Sequence, residues 1–148
     1  MLMRSSRWLL CFIAGLGASI AVSGTLRAAD VKTMTVCQLY AVRQSPPSGN
    51  IRLKTSAYSA PRHGAEFVDS HCPHGTAIDF RFADHLPTNS KAAQFDRALT
   101  GDVMDLSLRS FDVEVVGTYT AASEVNPRGL FYVKRVDWFK KQPPQPSR

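Results

Sequence analysis

The chain has 148 residues, with 18 Lys and Arg against 12 Asp and Glu for a formal net charge of +6. That length is one domain with a modest core. No glycine-rich phosphate loop and no Gly-x-Ser-x-Gly motif is present, which argues against nucleotide-binding and serine-hydrolase chemistry.

Residues 1–29 read as an export signal. Arg4 and Arg7 open the chain, Trp8 to Val22 is an apolar run, and Ala21-Val22-Ser23-Gly24 or Ala28-Ala29 offers small residues for cleavage. The run is shorter than the roughly 20 residues that span a bilayer, so no stable membrane insertion is expected after cleavage. Cys11 lies inside it, lacks the small residues of a lipoprotein site, and leaves with the signal. Arg4, Arg7 and Arg27 are three of the 18 basic residues, so a cut after Ala29 lowers the net charge to about +3. That mild surplus is poor support for a nucleic-acid partner, and none is expected. The product is expected in the periplasm or secreted, as a monomer.

Beyond the signal, residues 30–42 read as a short helix capped by Thr33 or Thr35, with a strand as the alternative. Residues 44–50 are a Pro/Ser/Gly loop. Ile51 to Tyr58 alternates apolar with polar and reads as a half-buried strand. Ser59 to Gly64 turns the chain, and Ala65 to Asp69 is a second strand. A turn over His71–Gly75 follows. Thr76 to Phe82 then points Ile78, Phe80 and Phe82 inward and Asp79 and Arg81 outward. Asn89 or Ser90 caps a helix running to about Leu99, with Ala92, Phe95 and Leu99 on one face and Gly101 at its stop. Residues 102–109 fit neither period. Phe111 to Tyr119 is the strongest strand, residues 121–129 are a loop, and Leu130 to Trp138 is the last strand. Residues 140–148 form a loose Pro/Gln-rich tail, which bounds the domain at 30–139.

Three strands, a helix and two strands, with an extra segment in front, are the layout of an OB-like five-stranded Greek-key barrel. The fold class is mainly β with one or two short helices. A generic α+β sandwich is the alternative.

Several short motifs carry a likeness. Thr35-Val36-Cys37-Gln38-Leu39 is an early cysteine segment, and Val68 to Pro73 ends in a Cys-Pro turn. Val113-x-Val115-x-Gly117 and Val133-x-Arg135-Val136 mark two later strands. In these the chain resembles small exported bacterial proteins of unknown function with an OB-like barrel and one cysteine pair. The likeness runs from about 35 to 138. It implies fold and compartment, and no activity.

Cys37 and Cys72 remain after the signal is removed. In an exported domain such a pair is more often a disulfide than anything else. The bridge would close a loop of about 35 residues, worth roughly 3–4 kcal/mol on the chain-entropy model. The rival reading is a zinc or copper site, with His71, Cys72 and His74 in four residues and His63 and His85 nearby. A disulfide would remove the thiolate yet leave His63, His71 and His74 free to converge. No resident cofactor is expected.

An enzyme is not expected. Glu66, Asp79 and Glu114 fall where strands face water, and nothing pairs a nucleophile with a base. Binding is the remaining class, to an envelope ligand or protein. OB barrels bind on the face of their second and third strands, flanked by the first-to-second and fourth-to-fifth strand loops. Here that face would gather Arg62, His63, Glu66, Arg81 and Arg128, with Tyr58 and Tyr119 beside them.

Overall fold

The computed structural model describes residues 31–60, 64–102, 104 and 107–143. Eight elements follow in order. They are β1 (Lys32–Met34), α1 (Val36–Ala41), β2 (Ile51–Ala60), β3 (Gly64–Val68), β4 (Ala77–Phe82), α2 (Lys91–Thr100), β5 (Arg109–Thr120) and β6 (Leu130–Lys141). Five strands close in the order β2-β3-β4-β6-β5, and β5 returns to β2. The pair β4–β6 is parallel and the other four are antiparallel. This is the OB-like barrel, mainly β with two short helices.

Alternation along each strand fills the barrel. Ile51, Leu53 and Ala57 of β2 and Phe111, Val113 and Val115 of β5 are buried, while Arg52, Lys54 and Glu114 lie on the outer side. Each of these side chains larger than alanine contributes about 1.5–3 kcal/mol by leaving water. Gly117 sits where β6 comes closest. A Cβ there would run into the Tyr132 carbonyl and the Phe131 ring, so only glycine fits. The pairing register shifts at Glu114/Val115 and again at Val116/Gly117, where β6 carries the extra residues Asp137 and Lys134, and these bulges bend β6 around the barrel.

The helices close the two ends. α2 starts at Ser90, whose hydroxyl accepts from the Ala93 N–H, and turns Ala92, Phe95 and Leu99 inward. Phe95 is fully buried against Phe80, Phe82, Phe111 and Phe139, at ring separations of 5.1 to 6.3 Å. The Ser59 hydroxyl donates to the Leu99 carbonyl, which places α2 at the C-terminal end of β2. β1 runs parallel to the opposite end of β2, with Lys32 opposite Ile51 and Met34 opposite Leu53. It hands the chain directly to α1, where Thr35 and Gln38 form a capping box. Val36 and Leu39 are fully buried beneath it. Residues 31–42 therefore combine both readings of that segment, a strand and then a helix. Thr35, and not Thr33, is the cap.

Two other boundaries differ from expectation. β5 begins at Arg109, inside the stretch that fitted neither period. Strand periodicity hides there because Arg109 is a charged residue pointing inward, only 4% exposed. Its guanidinium donates to the carbonyls of Leu99 (2.9 Å), Thr100 (2.6 Å) and Asp102 (3.1 Å), satisfying the end of α2. Gly101 has φ +54° and lies against that guanidinium, with no space for a side chain. β6 runs on to Lys141, where Lys140 and Lys141 pair with Asp112 and Phe111. The loose tail therefore does not begin at Lys140. Residues 1–29, read from the sequence as an export signal, and residues 144–148 lie outside the described residues.

Candidate functional site on the outer face of the barrel

Strand register builds the site. Tyr58 of β2 lies opposite Glu66 of β3, and Glu66 lies opposite Asp79 of β4. Cross-strand partners share a face, so the three form a row on the outside of the barrel. Arg128 reaches this row from the β5–β6 connection. Its Nη1 donates to Glu66 Oε2 at 2.7 Å and stands 3.9 Å from Asp79 Oδ1.

The backbone of Arg128 is held from inside the barrel. Tyr119 is buried, and its hydroxyl donates to the Arg128 carbonyl at 2.6 Å. Gly129 has φ +71°, and a Cβ there would overlap the Tyr119 phenol. The connection is closed on itself by Asn126 and Ser123, whose backbone and hydroxyl groups bond reciprocally, and by the Gly129 N–H to the Asn126 carbonyl. Ala122 N–H donates to the Arg43 carbonyl, which ties the connection to the chain leaving α1. Burial pushes the Tyr119 phenol up to about 12; Arg43 acts against this, and Tyr40 and Asp79 with it.

One wall of the site is the turn between β3 and β4. Cys72 N–H donates to the Asp69 carbonyl, and Thr76 N–H to the Pro73 carbonyl. The Asp69 carboxylate accepts from both the backbone N–H and the ring Nδ1 of His71, each at 2.9 Å. Those bonds hold its carboxyl below the usual range, against a smaller upward push from burial. Cys72 is joined to Cys37 of α1, with the Cα atoms 5.4 Å apart, so the disulfide fastens α1 to this wall.

Between the wall and Arg128 lies an open cleft of about 760 Å³ that includes Tyr58, Glu66, Asp69, His74 and Arg128. A second cleft of about 430 Å³ shares Tyr58, Glu66 and Arg128 and runs on to Leu108. The two clefts meet at Tyr58, Glu66 and Arg128, which line both and form the centre of the face.

The structure thus brings Glu66 and Arg128 together. Arg81 is exposed on the same side of β4 and lines a neighbouring cleft with Asp79. Arg62 and His63 lie outside the described residues. Tyr119 is not on the face. It continues the inward series of Phe111, Val113 and Val115, so period two along β5 places it in the core as a support. Asp79, read from sequence only as solvated, stands beside the ion pair; the register opposite Glu66 is the signal that could have found it.

His71 and His74 are both exposed. Among the described residues, the group of three potential metal donors that comes together is Cys37, Asp69 and Cys72, and neither histidine belongs to it. Its two sulfurs are bonded to each other.

No family model matches the chain, and no curated protein or solved structure is significantly similar to it.

Proposed function

We propose that this protein is an exported, disulfide-stabilised OB-like module of the cell envelope that binds its ligand in the groove over Tyr58, Glu66 and Arg128. The observation that carries the reading is the Glu66–Arg128 pair at 2.7 Å, anchored from the core by Tyr119 and set in a groove over β2 and β3, the first and second barrel strands. Of this lining, the second barrel strand and the fourth-to-fifth strand connection that carries Arg128 belong to the face by which OB barrels bind. Three features set it apart from a solvated surface. The arginine backbone is fixed, the glycine beside it has no room for a side chain, and the groove wall is covalently stapled. Export is supported by the leader and by the Cys37–Cys72 bridge, since such bonds persist in oxidising compartments.

The test has two arms. Bacterial expression of the full chain, followed by fractionation and intact mass, should give a periplasmic or secreted product that has lost the leader and is not alkylated before reduction. A cytosolic product with its leader and free thiols would overturn the compartment. A fragment and metabolite screen by NMR should move resonances of Tyr58, Glu66 and Arg128. Binders that act only elsewhere on the barrel, or a bound zinc or copper lost on His71→Ala or His74→Ala, would overturn the assignment of this face.

A further inference from the structure

We infer that the groove takes an oligosaccharide. This rests on the reading of the face as a binding site and adds the ligand class. Three other classes fit the groove poorly. A polyanion needs uncommitted cations along its path. Here the Arg128 guanidinium already serves two carboxylates, at 2.7 Å from Glu66 and 3.9 Å from Asp79. An extended peptide of the strand-adding kind needs an open sheet edge. In the floor of the groove, Ser56 to Tyr58 of β2 and Glu66 to Val68 of β3 are paired on both sides. An apolar ligand needs an apolar lining, whereas Ser56, Asp69, Ser70, Thr76 and the ion pair line this cleft.

A polyhydroxyl chain fits each of these features. Every sugar hydroxyl both donates and accepts. A carboxylate beside a guanidinium offers acceptors and donors side by side. The half-buried ring of Tyr58 offers an apolar body with a polar tip, suited to the C–H face of a sugar. Two clefts also meet at the ion pair, one lined by the Cys72–His74 wall and the other by Leu108, which suits several units in a row.

The experiment uses protein produced from the full chain with its disulfide formed. Probes are chitin, cellulose and maltose oligosaccharides of increasing length, a thymidine oligonucleotide and a lysine-rich peptide. Chemical shifts locate binding and give affinity. The expected result is that at least one saccharide series binds over Tyr58, Glu66 and Arg128, more tightly as it lengthens. Tyr58→Ala should weaken it about tenfold, while Tyr58→Phe stays within about threefold, with the thermal midpoint of both variants unchanged. Failure of every saccharide series overturns the inference. Binding of the oligonucleotide or peptide in the groove instead would overturn the saccharide assignment and leave the face standing. Saccharide binding away from Tyr58 and Arg128 would overturn the inference and the reading of the face together.

Discussion

The hydroxyl of Tyr119, inside the barrel, donates a 2.6 Å hydrogen bond to the carbonyl of Arg128, whose guanidinium lies outside it. One core residue thereby fixes the position from which a surface cation reaches Glu66. Tyr119→Phe should cost about 1 kcal/mol, the net worth of one buried hydrogen bond. Gly129→Ala should cost more, roughly 1–3 kcal/mol, because φ +71° and the Tyr119 ring both oppose a Cβ. The double variant should not recover, since the ring carbon Cζ blocks the Cβ as well as the hydroxyl does. Urea unfolding of the three variants checks this; a double variant as stable as Tyr119→Phe alone would contradict it.

The same phenol sets an alkaline limit. Its ordinary value is 10.0, and burial raises it to about 12 in the folded protein. The neutral form is the one the fold favours. Its contribution is complete below pH 10 and is lost as pH rises toward 12. Unfolding midpoints across that interval should fall for the native chain and fall less steeply for Tyr119→Phe. Parallel curves would show that other groups govern the alkaline limit.

The staple joins α1 to the groove wall. Reduction, or Cys37→Ser with Cys72→Ser, should lower stability by roughly 3–4 kcal/mol on the chain-entropy model for a loop of this length. Amide exchange should rise most in α1 (Val36–Ala41) and in the turn that follows Asp69. Barrel strands β5 and β6 should keep most of their protection. An unchanged urea midpoint would rule out a stabilising role.

Arg109 holds the last turn of α2 through three carbonyls while only 4% exposed. Arg109→Ala should cost about 3 kcal/mol, because it removes charge-assisted bonds and leaves helix-end carbonyls buried. Arg109→Lys should restore only part of this, since an ammonium cannot reproduce the planar fork. Gly101→Ala should also destabilise, as its Cβ would meet the guanidinium. Urea midpoints of the three variants, with a lysine variant as stable as the native chain, would refute the fork argument.

Much of the architecture was legible because local chemistry and global fold agree. Period two over Ile51–Tyr58, Thr76–Phe82 and Phe111–Tyr119 marked the barrel strands. Ser90 and Gly101 bracketed α2, and Thr35 capped α1. Cys37 and Cys72, the two cysteines outside the apolar N-terminal run, pointed to the bridge, which the fold places at 5.4 Å between Cα atoms.

Tertiary structure decided what lies between elements. Which outward residues share a row depends on register, so Asp79 joined Glu66 only once β3 was set against β4. Arg109 fell in a stretch that fitted neither period, because among its partners are carbonyls freed by the end of another element, which no side-chain pattern announces. Tyr119 looked like a face residue by composition, yet the alternation of β5 turns it inward. Arg128 became a positioned group only when the barrel closed and brought the β5–β6 connection over β3. Periodicity and capping act within a few residues of sequence and fix elements; pairing register and burial act across the fold and fix the site.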